Sequence, residues 1–139
     1  IVGFDLCLGD SVLTKEDMEM LMNSRKEEAV FSVKCNRLLA EYNLAAHNQY
    51  FVDLPDAVAM AVALWDDIAI EKKACYAHVC LKEEAAYGQV IFNDGSKLAI
   101  QEGFGEHAPN VEVCTKLNNA LYKKRLLSLL MEENTCYTV

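Results

Sequence analysis

The segment Ala57-Val58-Ala59-Met60-Ala61-Val62-Ala63-Leu64 constrains this chain more than any other. It is apolar on every side, and Pro55 just ahead of it suits the first turn of a helix. A helix that is hydrophobic all round has no face to give to water, so its stable place is inside protein. It is too short to cross a bilayer, and the chain has no run approaching the about 18 apolar residues that crossing needs. A chain of 139 residues makes one domain with a real core, not two. Enclosing a helix on all sides strains that capacity. The segment therefore points to an absent layer or a partner.

Charge excludes some partners. Apolar residues at 53% and charged residues at 24% describe an ordinary globular chain, and its net charge is −8. The acidic excess is spread through the chain, and there is no basic patch to follow a nucleic-acid backbone. The longest basic run, Lys123-Lys124-Arg125, falls on the solvated face of an amphipathic helix. The opening Ile1-Val2-Gly3-Phe4 has neither Met nor the basic start of a signal peptide. The expectation is a chain that begins within something longer, in a reducing, cytoplasmic setting. The six cysteines fit that setting. They are scattered with no C-x-x-C, and Cys75-x-x-His78-x-Cys80 on a strand brings only two ligands to one face, where structural zinc takes four.

Periodicity sets the order of elements. Ile1 to Leu8 reads as a strand, followed by a helix near 15–24 that Thr14 and Asp17 begin as a capping box. A second helix spans about 27–42, with Val30, Val33, Leu38 and Ala40 or Tyr42 on its apolar side. Asn43 to Asp53 reads as a loop carrying His47. After Trp65 the period becomes two: Tyr76–Leu81 and Gln89–Phe92 form a hairpin, with a turn cluster at Asn93-Asp94-Gly95-Ser96. Gln101–Asn110 is a loop, Val111–Cys114 a strand, and Leu117–Met131 an amphipathic helix. Alternating strands and helices make the class α/β.

Catalytic signatures are few. There is no G-x-S-x-G, H-E-x-x-H, P-loop or G-x-G-x-x-G. What remains is Asp53-Leu54-Pro55-Asp56 at the start of the apolar helix, close in sequence to His47. Two readings stand side by side. In one, Asp53 is the N-cap and Asp56 complements the helix dipole. In the other, Asp56 is an oxygen ligand of a hard cation, whose six to eight ligands the neighbouring sequence does not supply.

Leu54-Pro55-Asp56-Ala57-Val58-Ala59-Met60-Ala61-Val62-Ala63-Leu64, followed by a hairpin with Tyr87-Gly88-Gln89, resembles the carboxyl-terminal part of the inosine-uridine-preferring nucleoside hydrolases. The order of parts agrees: a valine–glycine opening with Asp5, the Leu13-Thr14-x-Glu16-Asp17 helix start, a helix pair, the aspartate helix, the hairpin, a strand and a last helix. The resemblance runs to about Leu130 and covers less than half of that family's domain. It implies that residues 1–139 are the carboxyl-terminal part of a single, here incomplete domain, a mostly parallel sheet flanked by helices. It also implies a homo-oligomer that uses Ca²⁺ and water to cleave the N-glycosidic bond of a nucleoside. Asp56 corresponds to the family's late aspartate, which binds both metal and ribose.

The chain also departs from that pattern. The family's amino-terminal aspartate cluster, Asp-x-Asp-x-x-x-Asp-Asp, is absent. Many members carry a histidine, as leaving-group acid, where this chain has Pro55. Ala86-Tyr87-Gly88 stands for threonine–arginine–glycine, Asn93 and Asn118 for aspartates, and Cys7 for a threonine. With no acid at Pro55, His47 is the substitute proton donor in sequence. The other source is water, aided by ring stacking on the base, which favours purine nucleosides. The opposing reading is a truncated, non-catalytic relative that keeps the scaffold and binds a partner.

Overall fold

The computed structural model describes residues 1–82, 84–95 and 107–132. Its strands are β1 (Leu13–Thr14), β2 (Phe51–Val52), β3 (Ala69–Val79), β4 (Val90–Asn93) and β5 (Val111–Leu117). Its α-helices are α1 (Lys15–Ser24), α2 (Glu27–His47), α3 (Pro55–Leu64) and α4 (Asn119–Met131). None of the described helices is long and apolar enough to cross a membrane. Glu83, Ser96, the 101–106 part of the expected loop, and Cys136 lie outside the described residues.

The expected α/β class holds, but the mostly parallel sheet does not. The larger sheet has the order β4-β3-β5, and both pairings are antiparallel, as is the small β1-β2 pair. For β3 and β4 the reason is connection length. A short turn such as 80–89 can only return a strand antiparallel, whereas a parallel neighbour needs a crossover of a dozen or more residues. Among the described residues the one parallel contact is the bridge from Val2 to Cys114 on β5, where Cys114 N–H donates to Ile1 C=O at 2.8 Å.

That bridge also corrects the opening strand. Val2 alone pairs, and Phe4–Cys7 turns into a 3-10 helix, followed by another at Gly9–Ser11. The Asp5 carboxylate folds back against Gly3, in space that a Cβ there would occupy. Ser11 Oγ donates to Leu6 C=O at 2.8 Å and ties the two turns together. Apolar composition favoured a strand, but local backbone bonding won.

The helix starts behave as their caps dictate. Thr14 Oγ1 accepts from Asp17 N–H, and the Asp17 carboxylate accepts from Thr14 N–H at 2.8 Å, so the capping box is complete. At α4, Asn118 Oδ1 accepts from Leu121 N–H at 3.2 Å. Asn93 Oδ1 accepts from Gly95 N–H at 2.8 Å, an Asx turn after β4. α2 runs on to His47, through residues read as loop, because Ala45 and Ala46 are strong helix formers. It stops where Asn48 takes the left-handed conformation (φ 55°) and donates to Leu44 C=O.

Two buried clusters hold these parts. One joins α3, β5 and α4 through Val58, Ala61, Ile68, Leu117 and Tyr122, with Cys7 in its midst. The other joins α1, α2 and β2 through Leu21, Ala29, Ala40 and Val52, and Leu126 of α4 packs against both. The enclosure expected for α3 is met on one side only. Val58 and Ala61 are buried, while Met60 and Leu64 stay 58% and 64% exposed. α2 likewise differs from its sequence reading. Ala29, Ala40 and Asn43 are its buried residues, and Leu38 and Tyr42 face outward.

Candidate active site

β1 pairs with β2 in the register Leu13 to Val52 and Thr14 to Phe51. This carries the segment Asp53–Asp56 on past Val12, away from the start of α1, and α3 then packs against the 3-10 turn Phe4–Cys7. Asp5, Asp53 and Asp56 are near enough to act electrostatically on one thiol, that of Cys7. Burial first, then the negative charges of Asp5, Asp53 and Asp56 in that order, push the Cys7 thiol above its ordinary value. Cys7 is therefore a neutral, packed group, 1% exposed. Its Sγ leans on Gly3 C=O at 3.7 Å. It is not an activated nucleophile.

Asp53 is not the N-cap that its place in sequence suggested. Leu54 occupies the cap position of α3, with no side-chain bond to the helix. Pro55 stands at N1 and removes one of the amides that a cap would serve. Asp53 Oδ1 instead accepts from Asn43 Nδ2 at 3.3 Å, and the same amide donates to Phe51 C=O at 3.1 Å. Asn43 is 5% exposed, so α2 carries a buried amide that orients both β2 and Asp53. Sequence reading missed it. The signal was there in a polar residue at helical spacing from Ala40 and Ala29.

Asp56 is exposed, in the first turn of α3. A carboxylate at that place is favoured by the helix dipole and has its oxygens free for solvent or a ligand. His47, by contrast, is the last residue of α2 and is exposed. Its ring contact is with Phe51, with centroids 6.2 Å apart. No hydrogen bond or ion pair joins it to Asp56 among the described residues. Carboxylate oxygens suit a hard cation, but the number of donors falls short. Among the described residues no three His, Cys, Asp or Glu side chains are grouped to hold a metal ion. Cys75 and Cys80 are buried free thiols.

Behind Cys7 lies Tyr122, the largest fully buried side chain among the described residues, at 1% exposure. Its hydroxyl has no hydrogen-bond partner among the described residues. Burial, then the neighbouring Cys7, push it up to about 12. Away from this region, a groove of about 450 Å³ between α1 and α2 is lined by Met18, Met22, Val33 and Tyr50 and shares no residue with the carboxylate group.

The fold has counterparts among solved structures. The chain is similar in fold to a plant nucleoside hydrolase, the PpNRh1 enzyme, at TM-score 0.73 and 18% identity over 89% of this chain and 38% of that one. It is also similar to an inosine-guanosine nucleoside hydrolase, at TM-score 0.68 and 22% identity over 89% of this chain and 36% of that one. This chain thus spans little more than a third of either structure. Among curated proteins no sequence match is found. The family profile described as inosine-uridine preferring nucleoside hydrolase matches residues 1–124, and the chain belongs to that family.

Proposed function

We propose that residues 1–139 are the carboxyl-terminal part of one nucleoside hydrolase-like domain, and that the whole protein hydrolyses the N-glycosidic bond of ribonucleosides. Water adds to C1′ of the ribose, the C1′–N bond breaks, and the departing base nitrogen takes up a proton. The observation that carries this reading is Asp56, an exposed carboxylate in the first turn of α3 within a family-matched segment, beside Asp5 and Asp53. Asp56 accepts a ribose hydroxyl and offers one oxygen to a metal. In the family that metal is Ca²⁺, which supplies charge stabilisation and orients water. The described residues do not make a complete site for it, so the remaining ligands belong to other parts of the protein, and no step is drawn through the ion.

Purine nucleosides are the favoured substrates. Pro55 has no proton to give, and a purine can be protonated on its ring from water when an aromatic group stacks on it. One of the similar structures is named for inosine and guanosine, both purine nucleosides. His47 is the alternative donor. A general acid is worth about 10²–10⁴ in rate, so the choice is measurable. In the full-length protein, p-nitrophenyl riboside needs no acid and turns over faster than inosine, with uridine slowest. Uridine turned over as fast as the nitrophenyl compound, with His47→Ala silent, defeats both the missing acid and its substitute.

The second reading is a binding module without hydrolysis. It is favoured by one observation, the lack of a grouped metal-ligand set among the described residues. Ribose release by the full-length protein decides against it.

A further inference from the structure

The helix that carries Asp56 begins without the usual fastening. Leu54 holds the cap position of α3 with no side-chain bond to the helix, and Pro55 at N1 has no N–H to offer one. β2, which leads into α3, is Phe51–Val52 alone, and among the described residues it pairs only with β1. What holds this entry sits on another element. Asn43 is buried near the end of α2, and its Nδ2 donates to Phe51 C=O at 3.1 Å and to Asp53 Oδ1 at 3.3 Å. The two bonds fall on either side of Val52, which is itself buried. Both partners are acceptors, so both protons of the amide are committed to one short segment. This burial and these bonds lie within the chain, and they do not depend on which of its surfaces other protein covers.

We propose that Asn43 is a positioning residue for the hydrolysis: it sets the direction in which β2 enters α3, and through it the place of the Asp56 carboxylate. The inference rests on the reading of Asp56 as the carboxylate that accepts a ribose hydroxyl. Little of the segment can absorb a displacement. Asp56 follows Asp53 after Leu54 and Pro55 only, and the proline ring locks its own φ near about −65°. A shift of β2 is therefore passed on to the first turn of α3. A misplacement of about 1 Å at a reacting group can cost about 10² in rate. Of the two bonds, the one to Phe51 C=O is the shorter and acts on the backbone itself, so the hold on the segment outlasts loss of the Asp53 carboxylate.

A double-mutant cycle in the full-length protein tests this, with kcat/KM read on p-nitrophenyl riboside and thermal unfolding followed in parallel. Asn43→Leu removes both bonds, and it lowers kcat/KM at least about tenfold at a temperature where the variant is fully folded. On the Asp56→Ala background the same change costs less than about twofold, because no carboxylate is left to misplace. The fall in melting temperature is the same on both backgrounds, which separates positioning from stability. Where Asn43→Leu does not fold, Asn43→Ser keeps a hydroxyl with a single proton for two acceptors, and it shows the same pattern with a loss of at least about threefold. The proposal is overturned by a folded variant with the kcat/KM of wild type, or by a loss equally large with and without Asp56. The underlying reading fails separately. If Asp56→Ala turns over as wild type does, the ribose-binding carboxylate and its positioning fall together, whereas a costly Asp56→Ala beside a silent Asn43→Leu overturns the positioning role alone.

Discussion

At the scale of residues, the site is organised around groups that do no chemistry. Cys7 and Tyr122 fill the space behind the carboxylates, and Asn43 holds Asp53 in place. Tyr122 is the unusual member, because a buried hydroxyl without a partner costs about 1–3 kcal/mol of desolvation. Tyr122→Phe removes that cost and keeps the ring. The expected result in thermal or urea unfolding is a protein as stable as wild type or up to about 1 kcal/mol more stable. A loss beyond 1 kcal/mol would reveal a hydrogen bond to a group outside the described residues. Little of this was legible in sequence. Asp56 was singled out by its helix start and by the family resemblance, whereas Asn43 and Tyr122 matter through burial, which only packing decides.

At the scale of elements, local chemistry was legible wherever it was self-contained. The capping box at Thr14 and α3 behind Pro55 form where the sequence placed them, and so does the hairpin pairing of Tyr76–Val79 with Val90–Asn93, although β3 begins earlier than read, at Ala69. The opening strand and the loop after Tyr42 did not. In both places composition gave one answer and backbone closure another. Arg25 shows the same tension. It ends α1 in the left-handed conformation at φ 58°, which costs a residue with a Cβ about 1–2 kcal/mol. Arg25→Gly is expected to raise unfolding stability by about 0.5–1 kcal/mol, and a loss would show that the arginine side chain holds the helix end.

The link between α1 and α4 is also testable. Lys123 Nζ reaches the Asp17 carboxylate at 2.8 Å, with both side chains less than a quarter exposed. Burial alone would raise the Asp17 carboxyl, but bonds from Lys123 and Thr14 outweigh it and hold it below its usual value. A depressed carboxyl contributes stability that is complete above its unfolded value and is lost as pH falls through the folded one. Asp17→Asn should therefore cost about 1–2 kcal/mol near pH 7. The difference from wild type should shrink below about pH 4. A difference that stays constant down to pH 2 would rule out the ionised carboxylate as its source.

At the scale of the whole molecule, the sequence conveyed family and order of parts but not the sheet. Pairing direction depends on which strands lie beside one another. Among the described residues every strand pairing is antiparallel, with a single parallel bridge at Val2, where a mostly parallel sheet was expected. The half-covered α3 and, among the described residues, the lack of a grouped metal-ligand set fit the proposal that this chain is one part of a larger domain. The chain alone is accordingly expected to release no ribose. The most direct test of the central claim is ribose release from inosine by the full-length protein, for wild type, Asp56→Ala and Asp53→Ala, with unfolding followed in parallel. The account predicts turnover by wild type and a loss of at least about 10² with Asp56→Ala at unchanged stability, whereas Asp53→Ala lowers stability by about 1 kcal/mol and largely spares turnover. No ribose release by wild type, or an Asp56→Ala protein that turns over inosine as wild type does, would contradict it.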